Sequence, residues 1–403
     1  MDGAPSLIAK RNSAQRLRIA VVTETYLPEV NGVAMTMGQV VIGLLKRGHE
    51  IELIRPRQYP NEVPIDRGRF EEVLLRGIAI PRYDALKLGM PSVQHLLRRW
   101  SVKRPDVVHL VTEGPLGWSA LTAAKRLGLP VASDFHTNFH TYTAHYGIGW
   151  LKKPITAYLR RFHNGTLCTI VPTADLRDEL AALGFENLLI VARGVDTRMF
   201  NPERRDPLLR TMWRAEPEDP VAVCVGRVAP EKNLDLLLET YEAMRAVNER
   251  AKLVVVGDGP ERNKLVLRHP NVIFSGARSG TDLAAHYASA DLFLYPSLTE
   301  TYGNVTVEAL SSGVAVVAFR YAAAAQHIRD GENGITVPFG DRDEFVRAAL
   351  DLMTDPLRLA RLGRAASATM RALDWDEIVS QFESVLARLA IAHTRGSHAR
   401  LPA

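Results

Sequence analysis

The apolar positions fall into short runs separated by stretches with helical spacing. In the first half these runs are LRIAVVT, HEIELI, VLLRGIAI, DVVHLVT, PVASDF, CTIVPT and NLLIVA. In the second half they are PVAVCVG, AKLVVVG, NVIFSG, ADLFLYPS, VAVVAF and GITVP. Most are apolar throughout instead of alternating. A strand wetted on one face alternates, whereas a strand covered on both faces does not. The helical stretches between the runs supply the crossovers that parallel strands need. The pattern therefore predicts an α/β chain made of two doubly wound units.

The break is expected near Phe200-Asn201-Pro202, where a polar, proline-containing stretch precedes the next run. That gives a first domain over 1–200, a second over 201–374, and a terminal segment over 375–403. A last helix from Trp375 to about Ala392 follows the final strand by two helices. It need not pack on its own domain and is expected to cross back to the first. The tail from His393 reads as loose.

Composition narrows the class. The chain has 403 residues, 46% hydrophobic and 24% charged, as expected of a globular protein and not of a disordered one. Cys168 and Cys224 both lie in apolar runs and read as core thiols. No apolar run reaches the roughly 18 residues that span a bilayer. The N-terminus is polar and shows no signal-peptide pattern, so a cytoplasmic address is expected. The net charge is +5, and it is uneven: residues 1–200 carry 26 Lys and Arg against 18 Asp and Glu. That excess suits either solvated helix faces or an anionic partner such as the inner face of a membrane. No nucleic-acid reading motif accompanies it.

Unusual residues gather at strand ends, where ligands bind in open α/β sheets. The first strand leads into Asn31-Gly32-Val33, and Gly32 would admit a ligand to a helix N-terminus. The stretch DFHTNFHTYTAHY carries His136, His140 and His145 after a strand. Two of these are four residues apart, a spacing used by some zinc sites, but no Glu follows His136. A surface for a polar substrate is the preferred reading, and no metal is expected. Arg227 and Lys232 sit five positions apart after the run PVAVCV. They are either solvated cations at a turn or a grip for a diphosphate. Gly257-Asp258-Gly259 is a weaker turn signal of the same kind. The strongest signal is Glu300-Thr301-Tyr302-Gly303-Asn304-Val305-Thr306-Val307-Glu308. A strand delivers Glu300, a helix begins near Gly303, and Glu308 follows about one turn inside. Carboxylates accept from sugar hydroxyls, and backbone N–H groups at Gly303, Asn304 and Val305 suit phosphate. The helix from Lys153-Pro154 to Arg161 is amphipathic and basic. Its charges suit helix ends, or a lipid surface.

In order and spacing these motifs resemble the family-four retaining glycosyltransferases of GT-B fold, with two facing Rossmann-like domains. The carriers are PEVNGVA, FHT at 135–137, RGVD at 193–196, GRVAPEKN, VVGDGP and the pair Glu300 and Glu308. The resemblance is strongest to bacterial GDP-mannose-dependent mannosyltransferases and related lipid glycosyltransferases. It implies a nucleotide-sugar donor as co-substrate, no cofactor, and a lipid or glycan acceptor. It places Arg227 and Lys232 on the donor diphosphate, Glu308 on the ribose and Glu300 on the donor sugar. Backbone from Gly303 to Val305 lies beside that sugar, His136 beside the reacting sugar, and Gly32 on the phosphates. Two positions depart from the pattern. Arg193 stands where the family often has Asn, and Thr301-Tyr302 where it often has Gly-Phe. A UDP-sugar transferase and a nucleotide-sugar epimerase are the alternatives. A dinucleotide-dependent oxidoreductase is disfavoured by the missing Gly-x-Gly-x-x-Gly.

Overall fold

The computed structural model describes residues 16–29, 31–80, 83–136 and 152–394. His140, His145, the N-terminal stretch 1–15 and the tail 395–403 lie outside the described residues.

The first domain is an eight-stranded sheet. Its strands are β1 (Arg18–Val22), β2 (Glu50–Pro56), β3 (Asp66–Arg67), β4 (Phe70–Leu75), β7 (Val107–Leu110), β8 (Val131–Asp134), β9 (Cys168–Val171) and β10 (Leu188–Ile190). They run in the order β10-β9-β8-β7-β1-β2-β4-β3, parallel except for the short edge strand β3. Side chains of β1 alternate between two cores. Ile19 and Val21 face one, and Ala20 and Val22 face the other. This is the physical reason the run is apolar throughout: both faces of the strand are covered.

One predicted strand divides. VLLRGIAI supplies the end of β4 and then a separate strand, β5 (Gly77–Ile80). β5 leaves the main sheet and pairs antiparallel with β6 (Tyr83–Gly89), which the apolar pattern does not reveal. As a hairpin packed outside the main sheet, β6 has no need of two apolar faces.

The second domain is a six-stranded, wholly parallel sheet. Its strands are β11 (Val221–Val225), β12 (Lys252–Val256), β13 (Ile273–Gly276), β14 (Leu292–Tyr295), β15 (Ala315–Phe319) and β16 (Ile335–Val337). The order is β13-β12-β11-β14-β15-β16. Every residue of β11 and β15 is buried.

The last helix, Trp375–Thr394, packs on the first domain. Ile378, Val379, Phe382 and Leu386 join Ile19, Val21, Met37 and Leu44 in one core. A Cβ on Gly43 would stand 2.5 Å from Val379 Cγ2, so glycine permits the close approach of the two helices. Glu383 adds contacts to Arg47 at 3.2 Å and His49 at 2.9 Å. The chain returns beside the point where it left, with Val195 N donating to Leu373 O at 3.0 Å.

The basic helix spans Lys152–His163, so Pro154 lies in its first turn, where N–H groups lack helical partners anyway. Its apolar side is used internally. Leu159 and Phe162 are buried, and the Tyr158 hydroxyl donates to Glu113 O at 2.5 Å. Lys153, Arg160 and Arg161 stay exposed.

Candidate active site

The two sheets turn the ends of their strands toward a shared cleft. A cavity of about 260 Å³ there is lined by Thr173 and Leu176 of the first domain and Thr299, Glu300, Thr301 and Tyr321 of the second.

On the second-domain side, β11 ends at Val225 and the chain enters a short 3-10 turn, Pro230–Lys232. That turn brings Lys232 to Glu300, which follows β14. The ammonium bonds Glu300 Oε1 directly and Tyr295 Oη at 3.2 Å. The hydroxyls of Tyr295 and Ser297 donate to the same oxygen at 2.5 and 2.8 Å. Three donors thus converge on Oε1. Oε2 takes none of these bonds, and Glu300 lines the cavity. Arg227 lies closer to water: its side chain is 42% exposed, with Nη1 3.8 Å from Glu231 Oε1.

Gly303 caps the helix Asn304–Ser311 with φ 90°, a conformation costly for any other residue. The first turn of that helix carries backbone N–H groups of Asn304 and Val305 without helical partners, a site of positive potential. Glu308 accepts from the Tyr287 hydroxyl at 2.8 Å. Burial pushes its pKa up to about 7, against the lowering effect of that hydrogen bond. Glu300 and Glu308 therefore occupy different surroundings: one is held by a cation and hydroxyls, the other by a single phenol.

On the first-domain side, Asn31 caps the helix Gly32–Lys46 by accepting from Val33 N at 3.1 Å and Ala34 N at 2.9 Å. Gly32 faces Asn304 across the cleft. A Cβ on Gly32 would lie 3.6 Å from Asn304 Nδ2. His136 follows β8. Its Nε2 lies 3.1 Å from Asp134 Oδ2, and its Nδ1 lies 3.0 Å from Arg193 Nη2. A guanidinium only donates. Nδ1 is therefore the acceptor, and Nε2 carries the proton given to Asp134. Burial lowers the His136 pKa, which keeps the ring neutral. Burial works against the Asp134 carboxylate, yet His109 and His136 hold its pKa well below the usual range. His109 Nε2 lies 2.9 Å from Asp134 Oδ1.

Sequence reasoning missed several of these groups. Tyr287, Tyr295 and Ser297 are ordinary helix, strand and loop residues until the fold places them on the two glutamates. Asp134 carried a legible signal, standing two positions before His136 at the end of a predicted strand. Two Asp-x-Asp triplets occur, at Asp341-Arg342-Asp343 and Asp374-Trp375-Asp376. Both begin helices: Asp341 accepts from Glu344 N and Asp374 from Asp376 N. Among the described residues no group of three His, Cys, Asp or Glu is arranged to hold a metal ion.

Comparison with known proteins gives concordant results. A model described as Glycosyltransferase Family 4 matches residues 30–199, and one described as Glycosyl transferases group 1 matches residues 219–355. A GDP-mannose-dependent alpha-mannosyltransferase of Mycobacterium tuberculosis is 33% identical, over 92% of this chain and 98% of that protein. An alpha-monoglucosyldiacylglycerol synthase of Acholeplasma laidlawii is 26% identical, over 88% of this chain and 93% of that protein. Among solved structures, sucrose-phosphate synthase from Thermosynechococcus elongatus matches with TM-score 0.76 at 18% identity, covering 94% of this chain and 100% of that one. Anabaena HepE in complex with UDP-glucose matches with TM-score 0.69 at 16% identity, covering 93% and 100%. These structures share the GT-B arrangement. The chain belongs to family 4 of the glycosyltransferases and is a hexosyltransferase dependent on a nucleotide sugar.

Proposed function

We propose that the protein transfers mannose from GDP-mannose to a lipid or glycan acceptor, with retention of anomeric configuration and without a metal ion. The observation that carries this reading is the meeting of Lys232 and Glu300 beside the helix that begins after Gly303. A donor laid there has its sugar on the open side of Glu300. Its diphosphate meets Lys232, Arg227 and the N–H groups of Asn304 and Val305. Its ribose reaches Glu308. The mannosyltransferase relatives favour GDP-mannose.

Breaking the sugar–phosphate bond builds positive charge on the sugar carbon and negative charge on the leaving oxygen. Fixed donors aimed at that oxygen lower the barrier. The acceptor hydroxyl attacks from the face the diphosphate leaves, and the leaving phosphate oxygen takes its proton. Closure of the domains excludes water and so limits hydrolysis. A lipid acceptor is favoured by relatives whose names include diacylglycerol and phosphatidylinositol. The exposed Lys153, Arg160 and Arg161 on one helix suit contact with an anionic membrane face.

A thermal-shift screen of nucleotide sugars tests the donor, because a bound ligand stabilises by mass action. GDP-mannose is expected to raise Tm more than UDP-glucose; the reverse order would overturn the choice of base. Activity in excess EDTA is expected to be retained, and its complete loss would overturn the metal-free mechanism.

Gly32 supplies a further test. A methyl at Gly32 would stand 3.6 Å from Asn304 Nδ2 and 4.0 Å from Arg193 Nη1, ordinary contact distances. Gly32→Ala is therefore expected to keep the wild-type Tm. It should weaken GDP binding by about tenfold, or about 1.4 kcal/mol, because the methyl takes up the gap a phosphate needs. Unchanged affinity by calorimetry would remove Gly32 from the donor site.

A further inference from the structure

Arg193 and Tyr302, the latter part of the Thr301-Tyr302 departure from the family pattern, meet across the domain boundary. The Arg193 Cζ lies 5.7 Å from the centroid of the Tyr302 ring. The Tyr302 hydroxyl donates to Arg193 O at 2.9 Å. It also lies 2.9 Å from His327 Nε2. Burial pulls the His327 pKa down to about 4, so this ring is neutral; with the Tyr302 proton given to Arg193 O, Nε2 is the side that donates to the phenol oxygen. A chain of hydrogen bonds thus runs from His327 through Tyr302 to the backbone at Arg193.

The Arg193 side chain has an unusual balance. The residue is only 8% exposed, and among the described residues its one side-chain hydrogen bond goes to His136 Nδ1. Among the described residues no carboxylate forms an ion pair with it, and those of Asp134 and Glu300 act on it only from beyond ion-pair distance. The stack on Tyr302 offsets part of the charge, but a guanidinium has five N–H donors and His136 takes one. Nη1 lies 4.0 Å from the point where a Cβ on Gly32 would stand. It thus faces the gap bounded by Gly32 and Asn304. The amide nitrogen of Asn304, a donor, is the atom that borders this gap, 3.6 Å from the same point. Both ring nitrogens of His136, by contrast, are already engaged.

We propose that Arg193 binds an anionic oxygen of the substrate in this gap, and that His136 is the positioning residue that aims it. Asp134 fixes the His136 proton on Nε2, the bare Nδ1 holds Arg193 Nη2, and the rest of the guanidinium fork meets the ligand. This inference rests on the glycosyltransferase reading. The chemistry is that of a phosphate or carboxylate oxygen, which a planar fork suits. The source is either the donor diphosphate or an anionic headgroup on the acceptor. The shared wall with Gly32 favours the diphosphate.

The test uses the full chain and titration calorimetry with GDP and with guanosine, which lacks phosphate. R193Q is expected to weaken GDP binding about tenfold, to leave guanosine binding unchanged, and to flatten the salt dependence of GDP binding. R193K should fall between R193Q and the wild type. If the oxygen belongs to the acceptor, GDP binding stays wild-type. In that arm kcat/KM falls tenfold with phosphatidylinositol and holds with neutral monoglucosyldiacylglycerol. H136A/R193Q is expected to match R193Q alone, because His136 acts through Arg193. Should R193Q fail to fold, R193K decides, with a threefold loss in either arm supporting the site. Unchanged GDP binding with equal effects on both acceptors would overturn the proposal, and additive losses in the double variant would overturn the role of His136. A wild-type protein that bound no nucleoside diphosphate would instead overturn the glycosyltransferase reading before any variant was compared.

Discussion

Lys232→Ala is expected to lower kcat by about 10²–10³-fold, the range seen when a preorganised donor to a developing negative charge is removed. Donor KM should change much less. Lys232 is partly buried, with its side chain 13% exposed, where a charge is screened less than at the surface. Arg227 at 42% exposure should matter less, with Arg227→Ala expected to cost about tenfold. The contact with Glu300 raises a rival explanation. Lys232 itself bonds Glu300. Its removal leaves that carboxylate to Tyr295 and Ser297 alone, so the loss could reflect a misplaced Glu300. Combining Lys232→Ala with Glu300→Gln separates the two. If Lys232 only balances Glu300, the double variant matches Glu300→Gln alone. If it stabilises the leaving diphosphate, the double variant falls well below Glu300→Gln alone, and that is the expected outcome. Wild-type kcat in Lys232→Ala would overturn the assignment outright.

The fold was legible because its physics is repetitive. Ile19 and Val21 face one core while Ala20 and Val22 face another, so an unbroken apolar run announces a covered parallel strand. The return of the last helix was legible as a length of apolar helix left over after the final strand. The hairpin of β5 and β6 was not, because a strand outside the main sheet needs no such run. Within the site, glycines and charges at strand ends could be read one by one, since each lies where a sheet opens to ligand. Their partners could not. Tyr295 and Lys232 are 63 residues apart, and Tyr302 and the Arg193 carbonyl 109 apart. No local spacing encodes such a pairing. Arg193 itself stood out only as a departure from a motif. Its meaning came from the ring above it, the histidine beside it and the lack of a carboxylate ion pair among the described residues.

Glu308→Ala is expected to raise the donor KM by about 10–100-fold with a smaller change in kcat. A hydrogen bond to a charged acceptor is worth roughly 1.5–3 kcal/mol, and a ribose grip contributes to ground and transition states alike. The pH dependence is more diagnostic. Burial lifts the Glu308 pKa from 4.5 to about 7, so the folded protein keeps a proton that the unfolded chain has released. Between those two values the unfolded state binds fewer protons. The Glu308 contribution to stability is therefore full below about 4.5 and is lost as pH rises through 7. Donor binding should run the other way. Ribose hydroxyls bond a carboxylate more strongly than a neutral acid, so the affinity for guanosine, whose ribose it reads, is expected to rise as pH passes through 7. Glu24, buried beneath Gly114 and likewise lifted to about 7, adds to the stability slope. It makes no contribution to ribose binding. Glu308→Gln should consequently remove only part of the pH dependence of Tm but nearly all of the pH dependence of guanosine affinity, since guanosine carries the ribose without a titrating phosphate. An affinity slope that persists in Glu308→Gln would move the ribose contact to another group.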